Sequence, residues 1–120
     1  LYDGLLERGE LMLPCAELAT TATFWVWRGP DLMKLEDTFR KYRSFLPDKP
    51  TFLGVYLWDF GDKRPMKLEY LKHELDIGLG LWRRREIEGF VFLATSVCNK
   101  GLDTVDYVRG WLDAHGAETR

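Results

Sequence analysis

Asp59 is the side chain best suited to chemistry in this sequence, since it closes an apolar run and stands between Trp58 and Phe60. A carboxyl group partly withdrawn from water by such neighbours has its pKa raised, as general-acid work requires. A structural role competes with that one, in which the aspartate shapes a turn by accepting a bond from the amide of Gly61. Trp27, Trp58 and Tyr56 offer rings that can stack on the apolar face of a sugar. Arg28, Ser96 and Asn99 offer polar groups for its hydroxyls. The competing expectation is that the rings fill an interior, and Trp25 reads that way. Hydrolysis of a glycosidic bond needs two carboxylates. No second one is visible at a strand end, and Glu17, ahead of the first strand, belongs at the opposite edge.

Other nucleophiles are poorly supported. Cys98 follows a strand but has no histidine placed to activate it, so a buried or half-buried inert thiol is expected. Ser96 lacks the G-x-S-x-G context of a serine hydrolase. His73 lies off the apolar stripe of its helix and His115 sits at a helix end, and both are expected in solvent. Cys15 and Cys98 show neither metal-ligand spacing nor a disulfide framework. No Gly-rich loop follows the first strand, so neither a dinucleotide nor any other cofactor is implied.

These groups gather through a strand-helix rhythm. Apolar runs at 20–27, 51–60 and 89–96 are each followed by an amphipathic stretch of helical period. Such alternation predicts an α/β fold with a parallel sheet of three βα units, whose ligands bind at the carboxyl ends of the strands. Trp25, Trp27, Arg28, Tyr56, Trp58, Asp59, Thr95, Ser96, Cys98 and Asn99 belong to those ends. Gly29-Pro30-Asp31 opens the first helix, whose stripe is Leu32, Leu35, Phe39, Tyr42 and Leu46. The second runs over about 66–84 with Leu68, Leu71, Leu75, Leu79 and Trp82 on one side. Gly78 and Gly80 weaken it and could admit a close neighbour. The last carries Leu102, Val105, Val108 and Leu112, and the tail beyond Gly116 is expected to fray. Residues 1–19 form a separate segment: 1–9 read as a helix tail, and 11–18, interrupted by Pro14, as a short strand or irregular connection.

Alternation along each strand divides the side chains between two faces. Phe24 and Val26, then Leu53, Val55 and Leu57, then Val91 and Leu93 are expected beneath helices. Trp25 and Trp27, then Phe52, Gly54, Tyr56 and Trp58, then Phe90, Phe92, Ala94 and Ser96 are expected on the other face. In a (β/α)8 barrel that second face is the interior. Three units cannot close a barrel, so the 20–116 region reads as an incomplete one or as a small open sheet.

The composition sets outer limits. With 46% hydrophobic and 14% aromatic residues among 120, the chain can bury a core. Seventeen basic against nineteen acidic residues argue against a nucleic-acid partner. The one dense cationic run, Arg83-Arg84-Arg85, suits the C-terminal end of a helix dipole. No run is long and apolar enough for a membrane span, and no signal-peptide pattern opens the chain. Leu1 is not a translation start, however, so an export signal ahead of it stays open.

The segments TFWVWRGPDL, LGVYLWDFGDKRPM, LKHELDIGLGLWRRREIEGFVFLAT and DYVRGWLDAHG, within residues 20–116, resemble the C-terminal portion of uncharacterised bacterial glycosidase-like TIM-barrel proteins. The resemblance implies late strands and helices of a barrel and a carbohydrate ligand, with glycoside-hydrolase-like activity if the site is active. It carries over no catalytic residue. A second expectation, of a different class, is a non-catalytic α/β module whose aromatic face mediates interaction or self-association, because large exposed apolar patches are unusual on monomers.

Overall fold

A computed structural model of the chain describes residues 1–94 and 96–120. Thr95, expected among the strand-end groups, lies outside them. Three strands form one parallel sheet: β1 (Ala22–Trp25), β2 (Thr51–Tyr56) and β5 (Gly89–Leu93), with β2 in the centre. Their register aligns Phe24 with Leu53 and Leu53 with Phe90, so these three side chains share a face. The fold is therefore mixed α/β, with strands at the expected places but shorter than their apolar runs.

That shared face carries the helices. In α2 (Leu35–Phe45), Phe39 and Tyr42 pack on Phe24 with ring centroids 5.9 and 4.8 Å away. A six-residue 3-10 helix, Gly29–Lys34, precedes α2 and contributes Leu32 to the same buried stripe. In α3 (Leu68–Arg83), Gly78 allows the close approach foreseen for it: a Cβ there would come within 2.6 Å of Phe90 and 2.7 Å of Leu53. Trp111 of α4 (Asp103–His115) meets Phe90 at 5.2 Å and Phe92 at 6.2 Å. Arg43 anchors the end of α2 by donating to the carbonyls of Leu46, Lys49 and Glu86.

Four expectations need correction. The third strand presents the opposite faces: Phe90 and Phe92 lie under the helices, while Val91 and Leu93 are 38% and 42% exposed on the open face. Register decides this, because a parallel neighbour of Leu53 must share its side, whatever its chemistry. The second strand ends at Tyr56. Leu57 bends the chain, and Trp58–Asp59 (β3) pairs antiparallel with Arg64–Pro65 (β4) in a small hairpin.

The opening segment is also different. Leu1 and Tyr2 are not a helix tail but a stub beside β1. Leu1 donates to the Thr23 carbonyl at 2.8 Å, and Trp25 donates to the Leu1 carbonyl at 2.8 Å. Tyr2 bridges Trp25 in the parallel sense. A 3-10 helix (Asp3–Leu11) and α1 (Leu13–Leu18) then lead to β1, with Pro14 in the first turn of α1, where its missing N–H costs nothing. Finally, the tail is tied down. Glu118 takes two bonds from Arg83 at 2.6 and 2.9 Å, and Arg120 reaches the carbonyls of Trp82 and Ile87 at 3.0 and 2.6 Å. Among the described residues, no helix is long and apolar enough to cross a membrane.

Candidate functional site

Parallel pairing brings one end of every strand to the same edge, and the candidate site is built there. Trp25, on the open face of β1, lies directly over Gly54, where any side chain would collide with its indole. Tyr56 follows two residues along β2 and packs on Trp25 at 4.6 Å. Trp27, just past β1, meets Tyr56 edge-on at 6.1 Å and stacks with Phe60 at 5.9 Å. Tyr2 closes the cluster, 5.4 Å from Trp27 and perpendicular to it. The rings thus form one contiguous surface, and Trp27, 42% exposed, is its most accessible tryptophan.

The expected site residues divide into three groups. Trp27 and Tyr56 come together, but Tyr56 is buried and contributes packing. Its hydroxyl is pushed upward in pKa, chiefly by burial and then by Tyr2 and the charge of Asp3. Trp58 and Ser96 meet elsewhere, in an open groove of about 340 Å3 that also includes Phe60, Val97 and Lys100. Phe60 joins the two regions, since it both stacks on Trp27 and lines this groove. Arg28 is engaged in an exposed ion pair with Asp62 at 3.1 Å, and Asn99 is exposed on the turn before α4.

Asp59 is only 2% exposed, and both of its carboxylate oxygens are occupied. Oδ2 accepts from the amide of Gly29 at 3.0 Å, and Oδ1 accepts from the amide of Asp62 at 2.9 Å. The first bond satisfies a free N–H at the start of the Gly29–Lys34 helix, and the second closes the hairpin turn. The expected turn role is present, then, with Asp62 as the amide donor in place of Gly61. Such a carboxylate holds the 27–29 segment against the hairpin and so sets where Trp27 emerges.

Asp3 was missed. It follows the paired Leu1–Tyr2 stub, so it stands at a strand end, where no second carboxylate was visible in the sequence. Its Oδ1 accepts from the amide of Trp27 at 3.2 Å. Burial raises its pKa, bonds from backbone amides oppose that rise, and the nearby negative Asp31 adds to it. The available signal was the pairing of two residues too short to register as a strand.

The remaining reactive groups lie apart from this edge. Cys98 and Cys15 are exposed, contrary to the buried or half-buried thiol expected at Cys98. His73 is half-buried, and His115 packs on Trp111 and faces Glu118 at 3.2 Å, so neither is simply in solvent. Among the described residues, no group of three His, Cys, Asp or Glu side chains could hold a metal ion. Searches against protein-family models, curated proteins and solved structures returned no match.

Proposed function

We propose that this chain binds carbohydrate at the carboxyl-end edge of its parallel sheet, as a segment of a glycosidase-like (β/α) barrel. The observation that carries the reading is the exposed Trp27 ring, held in a continuous aromatic cluster beside the strand-end carboxylate Asp3. Sugar recognition combines such a ring, which stacks on C–H groups, with a few fixed polar atoms for the hydroxyls. The barrel reading is supported by strands in the order β1, β2, β5 with α2, α3 and α4 on one face. Four parallel segments at the same level, counting the Leu1–Tyr2 stub, repeat the barrel's unit. Hydrolysis is the activity this reading would give a complete site with two carboxylates.

The test is calorimetric titration with a panel of oligosaccharides. Binding is expected in the wild type and about tenfold weaker, or lost, in Trp27→Ala. Equal affinity in the two proteins would refute the role of the ring.

A second reading has its own support. Val91 and Leu93 on β5 are exposed on the open face, beside Trp25 and Tyr56. A surface of this kind is suited to interaction with another protein surface or a second copy, without catalysis.

A further inference from the structure

We propose that Asp3 is the carboxylate of this edge that contacts the ligand, accepting hydrogen bonds from sugar hydroxyls beside Trp27, and that Asp59 only positions the platform. The inference rests on the carbohydrate-binding reading and assigns its polar anchor.

Three observations converge on Asp3. It is fixed in place, because its Oδ1 takes the Trp27 amide and its backbone continues the stub paired with β1. It is also accessible: two open grooves meet at it, one of about 390 Å3 shared with Tyr2, Leu5 and Trp27, the other of about 380 Å3 shared with Asp31 and Lys34. Thirdly, it keeps acceptor capacity. A carboxylate offers about four lone-pair sites, and backbone amides, that of Trp27 at 3.2 Å foremost, take only part of them at Asp3. Asp59 lacks that access, being 2% exposed with an amide on each oxygen.

The chemistry follows from that contrast. Charge-assisted bonds from hydroxyls to a carboxylate are short and roughly twice as strong as neutral ones. Asp3 is half-buried, which makes its acceptor sites less hydrated and their direction constrained. A sugar lying against the exposed Trp27 ring would bring adjacent hydroxyls to the carboxylate that shares a hydrogen bond with that residue's backbone. Ring and carboxylate are thus linked through the Trp27 backbone, whose amide makes the 3.2 Å bond.

The experiment follows tryptophan fluorescence during titration with maltohexaose, cellohexaose and xylohexaose, alongside thermal melts. Asp3→Asn is expected to melt like the wild type and to bind the responding sugar about tenfold or more weakly. Asp48→Asn, an exposed carboxylate at the opposite end of β2, is expected to melt and bind like the wild type. Asp3→Ser, which keeps an acceptor for the Trp27 amide but no carboxylate, repeats the test if Asn disturbs the fold. Undiminished binding in Asp3→Asn or Asp3→Ser, with loss in Trp27→Ala, would overturn this assignment and leave the binding reading standing. No response from the wild type to any of the three sugars would overturn both.

Discussion

At Asp59 the same burial that suggests chemistry turns out to serve architecture. Its two bonds join the start of a 3-10 helix to a hairpin turn thirty residues away in sequence. Replacement by Ala leaves the amides of Gly29 and Asp62 without a partner, the first of them in a buried setting. The expected cost is about 2 kcal/mol, seen as a lower denaturant midpoint with an unchanged slope. A midpoint equal to wild type would refute the structural role. The sequence made this role visible as a competing expectation, because an Asp before Phe-Gly-Asp is a turn former. It could not show the bond to Gly29, which depends on the hairpin folding back over β1. Asp3 was hidden for a related reason. Two paired residues have no periodicity, and only their bonds to Thr23 and Trp25 reveal a strand end.

Element by element, helical stripes were the most legible feature. Leu32, Leu35, Phe39, Tyr42 and Leu46 are all buried, as their spacing requires. The faces of β5 were not legible, since Phe90-Val91-Phe92-Leu93 is apolar on both sides and alternation alone assigns neither. The clue lay in a different element. Gly78 leaves a gap in α3 that an aromatic ring fills, and Phe90 fills it. Gly78→Leu is therefore expected to destabilise the protein by roughly 1–3 kcal/mol through overpacking, measured by chemical denaturation; no loss would place Phe90 elsewhere.

The same helix holds a second anomaly. Glu74 is 1% exposed, its Oε2 has no hydrogen-bond partner, and burial raises its carboxyl well above the usual range. A raised folded-state pKa leaves stability intact below the unfolded value of about 4.3 and erodes it as pH rises from there. Glu74→Gln should consequently stabilise the protein more at pH 8 than at pH 4.5, compared by guanidinium midpoints. A pH-independent difference would show that Glu74 does not titrate in this way.

For the whole molecule, the helices lie on one face of the sheet and the exposed Val91 and Leu93 lie on the other. An apolar sheet face of this kind favours association. Sedimentation velocity is expected to show concentration-dependent self-association that Leu93→Glu reduces; a strict monomer over the same range would refute that. The alternation of strands and helices made the α/β class readable, because period-two runs and amphipathic stretches succeed one another along 20–116. The tail was less readable. Gly116 and the small residues around it look like a frayed end, yet Arg83 and then His115 draw the Glu118 carboxyl down to about 2, and Arg120 lies over Trp82. The contacts to Arg83 and from Arg120 cross long sequence separations, which no local pattern reports.

On the proposed reading, the strand-end surface around Trp27 receives a sugar. The most direct measurement is an amide and indole proton-nitrogen NMR titration of the chain with oligosaccharides. Saturable shifts are expected for the Trp27 indole and for the amides from Tyr2 to Gly4, with the Trp82 and Trp111 indoles of the helical layer unmoved. Shifts confined to Trp82 or Trp111, or an unperturbed Trp27 at saturating sugar, would contradict it.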